Sequence, residues 1–151
     1  MCLVSLPPFM SLGDLPLGVH RASLREVLDR FGTGSRTRIA VAERLERVFR
    51  LAQDSGHLAR FVVFGSFVTD KLEPRDVDIF LVMDDEFAVD SLAGEAALVF
   101  DHSAADAHFG ASVFWVTSRG ALGGEPAAIE FWQGKRDGGR RGIVEIVEES
   151  K

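Results

Sequence analysis

At 151 residues the chain is most simply one domain, and a chain of that length buries roughly 70% of its unfolded surface, so a core can form without staples. A net charge of −6 and a pI of about 5.2 argue against a general nucleic-acid binder, which presents a basic face, yet leave room for a nucleotide site in which a metal ion offsets local negative charge. The single cysteine, Cys2, excludes an internal disulfide and a cysteine metal cluster; the N-terminal run broken by Pro7-Pro8 does not read as a signal peptide; and no apolar stretch approaches the ~18 residues of a membrane span.

Residues 1–20 are rich in Pro, Gly and Leu without a clear period, and read as an N-terminal arm lying on the domain or on a partner. Over 22–31, Leu24, Val27, Leu28 and Phe31 make one helical stripe, which Gly32 and Gly34 stop. Ser35 can cap a longer helix over 36–54. There Val41, Leu45, Val48 and Ala52 recur at helical intervals, and Glu43–Arg47 and Glu46–Arg50 set an acid four residues before a base. Ser55-Gly56 ends it.

Arg60 to Phe64 is a short apolar run bounded by turn residues, a buried strand. Gly65-Ser66 breaks it, and a second strand runs from Val77 to Met83. Asp84-Asp85-Glu86 reads as the acidic first turn of a helix over 86–100. The segment holding Asp101, His102, Asp106 and His108 reads as a polar loop, and a third strand spans Ser112 to Val116. The apolar runs Ala127–Trp132 and Gly142–Val147, joined by the Gly-rich turn Asp137-Gly138-Gly139, give a C-terminal β-hairpin signal. Helix, helix, strand, strand, helix, strand, hairpin fits a mixed sheet with helices packed on it.

The chemistry concentrates between Phe61 and Val82. A buried strand ends in Gly65-Ser66, and the next begins with Asp76-Val77-Asp78. Side chains alternate along a strand, so Asp76 and Asp78 share a face. Two carboxylates that close repel and raise one pKa; a divalent cation between them removes the conflict. Mg²⁺ in particular takes a few carboxylate oxygens together with phosphates and water. Gly65 allows close backbone approach, and the Ser66 hydroxyl can hydrogen-bond a phosphate.

Gly65-Ser66 followed by Asp76-Val77-Asp78 resembles the signature of the DNA polymerase β-like nucleotidyltransferase superfamily, in particular its small, minimal-nucleotidyltransferase-like bacterial members. Leu15 to His20, Arg30-Phe31-Gly32, the run 65–69, Phe131-Trp132 and Gly142 to Ile146 are similar to an uncharacterised branch of it. The resemblance implies an α+β fold, a nucleotidyltransferase-like mixed β-sheet with helices packed on it, over residues 21–151. Gly65 and Ser66 would then bind the nucleotide. Asp76 and Asp78 would be the catalytic, Mg²⁺-holding pair. A nucleotidyl group would move from a nucleoside triphosphate to a hydroxyl on a protein, an RNA end or a small molecule.

The superfamily adds a third carboxylate on a later strand. Here the matching strand, Ser112 to Val116, has none; Ser112 stands about where the acid is expected, and Asp101 and Asp106 precede it. A second reading therefore stands beside the enzyme. It is a degenerate nucleotide- or partner-binding module, antitoxin-like in the manner of small superfamily members that pair with a toxin-like protein. A structural domain without a ligand is a third. Lys135, Arg136, Arg140 and Arg141 read as a solvated hairpin tip, or more sharply as a contact for phosphate or for an acidic or nucleic-acid partner. Trp115 and Trp132 read as core or interface residues, Trp132 alternatively as a platform for a base. A cytoplasmic location and no membrane partner are expected.

Overall fold

The computed structural model describes residues 6–148; Cys2 lies outside them. The architecture is α+β, a five-stranded mixed sheet with helices packed on it. The strands are β1 (Val19–Ala22), β2 (Leu58–Phe64), β3 (Val77–Met83), β4 (Ala111–Thr117) and β5 (Ile143–Ile146), in the order β1-β5-β2-β3-β4. β2 lies antiparallel to both β3 and β5, whereas β3–β4 and β1–β5 are parallel.

The helices are α1 (Leu24–Phe31), α2 (Arg36–Asp54), α3 (Gly94–Val99), α4 (His102–Phe109) and α5 (Glu125–Glu130). Both N-terminal helices start on serine caps, Ser23 accepting from the Glu26 N–H and Ser35 from the Arg38 N–H. Glu46–Arg50 forms as an i,i+4 pair, but Arg47 turns away from Glu43 to reach Glu95 on α3.

Alternation along the strands divides the core in two. Phe61, Val63, Val77, Ile79, Leu81, Val113 and Val144 face the large cluster that holds the apolar stripes of α1 and α2, together with Val99, Ala105 and Phe109 from α3 and α4. Val62, Phe80, Val82 and Ile143 face the other way, into a smaller cluster with Ile129 and Trp132. The second face is only partly roofed, and the rest of it is open above β2, β3 and β4.

Three sequence expectations change. The first arm of the expected hairpin is helical: Ala127 lies in α5, and Phe131–Gln133 continues it as a 3-10 turn. Gly124 and Pro126 begin that helix. The turn at Asp137-Gly138-Gly139 does form, closed by the Lys135 N–H donating to the Gly139 carbonyl and by a bridge between Gly134 and Arg140. The polar segment after Asp101 is α4, capped by the Asp101 carboxylate at one end and by left-handed Gly110 at the other. Asp84 to Glu86 is a turn, with Asp84 accepting from the Glu86 N–H and contacting His57 and Asp85 accepting from the Arg119 N–H. The helix expected over 86–100 is reduced to a 3-10 turn at Val89–Ser91 followed by the short α3, which starts at Gly94.

The arm also gains structure. Residues 19–22 pair with β5, and Leu6 and Leu15 are buried in the core. No helix among the described residues is long and apolar enough to cross a membrane.

Candidate functional site

The antiparallel register of β2 and β3 puts Phe64 opposite Asp78, so the Gly65-Ser66 turn leaves β2 directly beside the carboxylate pair. Gly65 has φ +81° and ψ −164°, a conformation that only glycine adopts without strain. A Cβ there would sit 2.0 Å from Oδ2 of Asp78. The glycine is therefore required first by its backbone conformation, and a side chain there would also push the Asp78 carboxylate aside. Ser66–Val68 then forms one 3-10 turn, whose end is tied by the Thr69 hydroxyl donating to the Ser66 carbonyl.

Asp76 and Asp78 line one cavity of about 500 Å³ together with Ser66 and Ser112. Asp78 is half-buried, and burial together with the charge of Asp76 pushes its carboxyl up to about 6. Arg136, Arg141 and the Ser112 hydroxyl pull the other way and limit the rise. The parallel register sets Ser112 of β4 beside Asp78. The position sought for a third acid is thus a serine in space as well as in sequence. Asp101 is occupied as the α4 cap, and Asp106 is exposed on that helix. Among the described residues, no group of three or more His, Cys, Asp or Glu side chains gathers around a common point.

The basic turn comes to the same place. Lys135, Arg136 and Arg141 line the cavity with the two aspartates, joined by Lys71 and Arg75. Arg140 is exposed beside them. The turn is held from the arm: Asp14 accepts from Lys135 at 3.1 Å and from Arg141 at 3.3 Å, and the Gly18 N–H donates to the Gln133 side chain at 2.6 Å. This contact joins residues more than 110 positions apart, and no local pattern announces it.

A wider cleft of about 610 Å³ continues from Asp78 and Ser112 along the open sheet face to Phe64, Phe114, Phe131, Trp132 and His102. Trp132 packs on Phe64, Phe80 and Phe114 at ring distances of 4.5, 5.3 and 4.9 Å. Trp115 lies on the opposite face, its indole N–H donating to the Phe100 carbonyl, as a core residue. His102 sits at this end of the cleft, while His108 pairs with Glu95 elsewhere on the surface.

The floor of the Gly-Ser turn is set by Arg38, a residue without a sequence signature. Its guanidinium is buried and donates to the carbonyls of Phe31, Phe67, Thr69 and Lys71, so α2 holds the segment following Ser66 by its backbone.

The chain belongs to a family of unknown function (DUF6932). That family's model matches residues 7–147, which takes in the arm, the Gly-Ser turn, the carboxylate pair, the basic turn and β5. No curated protein and no solved structure matches the chain.

Proposed function

We propose that the cleft binds a nucleoside triphosphate with Mg²⁺ and transfers its nucleotidyl group to a hydroxyl acceptor, in the manner of the polymerase β-like nucleotidyltransferases. The observation that carries this reading is the convergence of Asp76, Asp78, Ser66 and the Lys135–Arg141 turn on one cavity. Each part answers to a different piece of the substrate. Lys135, Arg136 and Arg141 suit the phosphates, Ser66 can donate to a phosphate oxygen, and the carboxylates suit the cation.

The donor set fits Mg²⁺. It offers carboxylate oxygens from Asp76, in the bend just before β3, and from Asp78 within β3, and leaves further coordination to phosphate oxygens and water. The Asp78 carboxyl is raised first by burial and then by the charge of Asp76, and a bound cation would offset both. Asp76 and Asp78 would hold the ion, which when bound supplies charge neutralisation at the reacting phosphate. In the transfer the acceptor oxygen attacks the α-phosphorus, its proton passes to water, and the bond to pyrophosphate breaks. Lys135, Arg136 and Arg141 stabilise the charge that grows on the leaving group.

Incubation with α-labelled nucleoside triphosphates, Mg²⁺ and hydroxyl acceptors (protein, RNA ends, small molecules) tests the reading. The expected outcome is label transfer that an Asp76→Ala/Asp78→Ala double variant loses; equal labelling by both proteins sinks it.

One observation favours a second reading. Ser112 opposite Asp78 leaves β4 without a carboxylate to take the acceptor's proton or complete a second metal site. The cleft would then hold a nucleotide without turnover and act through a protein partner, an antitoxin-like role being one form. Calorimetry separates the two: Asp-dependent binding of Mg²⁺ and ATP with no transfer to any acceptor supports the second.

A further inference from the structure

The large cleft has two chemically different ends. One carries Asp78, Ser112, Lys135, Arg136 and Arg141; the other carries rings. Phe131 is 73% exposed and Phe114 37% exposed, and both face the cleft. Large apolar side chains left in water along the wall of a concave site mark a surface that a ligand covers. The rings are also arranged alike. Phe64 and Phe114 each lie within about 5 Å of Trp132 at interplanar angles of 31° and 32°, and His102 continues the series at 4.8 Å and 34° from Phe114. The pairs are tilted, and Phe131 stands edge-on to Trp132 at 87°, so a flat ring entering this end meets both ring faces and ring edges. Base–aromatic contact of this kind is worth about 1–3 kcal/mol per base. The distance between the ends is bridged by one continuous cavity of about 610 Å³, within the usual range for small-molecule sites.

We infer that the aromatic end of the cleft is a nucleobase subsite, and that it favours bases carrying an exocyclic amino group. The inference rests on the triphosphate reading above and names the part of the substrate that reading leaves open. Stacking alone accepts every base. The selectivity comes from His102, the side chain among these rings that can accept through a ring nitrogen, since the Trp132 indole N–H only donates. Its Nδ1 contacts the Val113 carbonyl at 3.2 Å, and a carbonyl only accepts, so Nδ1 carries the proton. In the neutral ring Nε2 is then an acceptor, which matches the amino group of adenine and mismatches the carbonyl oxygen of hypoxanthine.

The test is calorimetry with Mg²⁺ and three probes: α,β-methylene-ATP, its inosine counterpart, and inorganic tripolyphosphate. We expect the adenine nucleotide to bind about tenfold tighter than tripolyphosphate, and the inosine analogue about fivefold weaker than the adenine one, the worth of one hydrogen bond. Phe131→Ala, at an exposed position that cannot unfold the core, should lose about tenfold for the nucleotide and nothing for tripolyphosphate. His102→Phe, which keeps a ring against Phe114, should erase the adenine preference. Equal binding of nucleotide and tripolyphosphate overturns the subsite and leaves the phosphate end standing. Equal binding of the adenine and inosine analogues overturns the role of His102. Failure of all three probes to bind overturns the triphosphate reading and the subsite with it.

Discussion

At Asp78 the fold stabilises the protonated acid over the anion, raising the carboxyl from 3.8 to about 6. Relative to the unfolded chain, this group's favourable contribution is complete below pH 4 and is lost as pH rises through about 6. The difference of about two pH units corresponds to roughly 3 kcal/mol. Asp78→Asn cannot ionise. It should therefore match the wild type near pH 4 and exceed its stability by about 2–3 kcal/mol at pH 7.5, measured as urea midpoints at the two pH values. On the Mg²⁺ reading proposed above, the ion should raise the wild-type midpoint at pH 7.5 and leave the variant, which has lost the Asp78 carboxylate, unmoved. A wild-type midpoint that stays flat between the two pH values would overturn this account. Gly65 makes the converse case. Gly65→Ala places a methyl against the Asp78 carboxylate and forces a conformation foreign to alanine, so a loss of about 2–3 kcal/mol is expected by the same measurement.

Among the elements, α2 does more than fill the core. Burial lowers the pKa of its Arg38 more than the nearby charge of Asp70 raises it, and the guanidinium is kept by the carbonyls of Phe31, Phe67, Thr69 and Lys71. Arg38→Met preserves much of the volume but leaves those acceptors without a donor, which should cost about 3 kcal/mol and loosen the 66–71 segment. Arg38→Lys, with three donors in place of five, should fall between the two. Thermal unfolding ranks them, and a methionine variant as stable as the wild type would show that the clamp is dispensable. This contact has no local sequence signature, whereas α1, α2, β2, β3 and β4 were readable because turn or cap residues bracket each apolar stretch and its length fits one element type. Ala127–Trp132 was misread because six apolar-rich residues fit either period. Gly124, Glu125 and Pro126 in front of it were the start signals that favour helix. Likewise Asp101 and Gly110, one a cap and the other a left-handed stop, bracket α4 and outweigh its weak apolar stripe.

Over the whole molecule, the sheet's two faces are unequally supported, and the site lies on the weaker one. Four helices cover the face with the large core, while α5, its 3-10 continuation and the basic turn partly cover the other. The Asp76/Asp78 pair and the Gly65-Ser66 turn were legible because they are local. Their meeting with Lys135, Arg136 and Arg141 was not, since it depends on β1 pairing with β5 and on Asp14 reaching across from the arm. That wiring makes the arm a brace for the basic turn. Asp14 is 18% exposed and Lys135 and Arg141 are 27% and 23% exposed, so these contacts are partly shielded from screening. Asp14→Asn should thus free the turn without disturbing α2, β2 or β3. Hydrogen exchange read peptide by peptide is the measurement: faster exchange over 133–142 in the variant, with unchanged protection over 41–52 and 77–83. Mg²⁺ with α,β-methylene-ATP should slow the same 133–142 amides in the wild type, because a ligand that bridges the cations replaces the motion that the brace only limits. Uniform acceleration along the chain would instead mean that Asp14 supports global stability, and that the arm belongs to the core and has no special tie to the site.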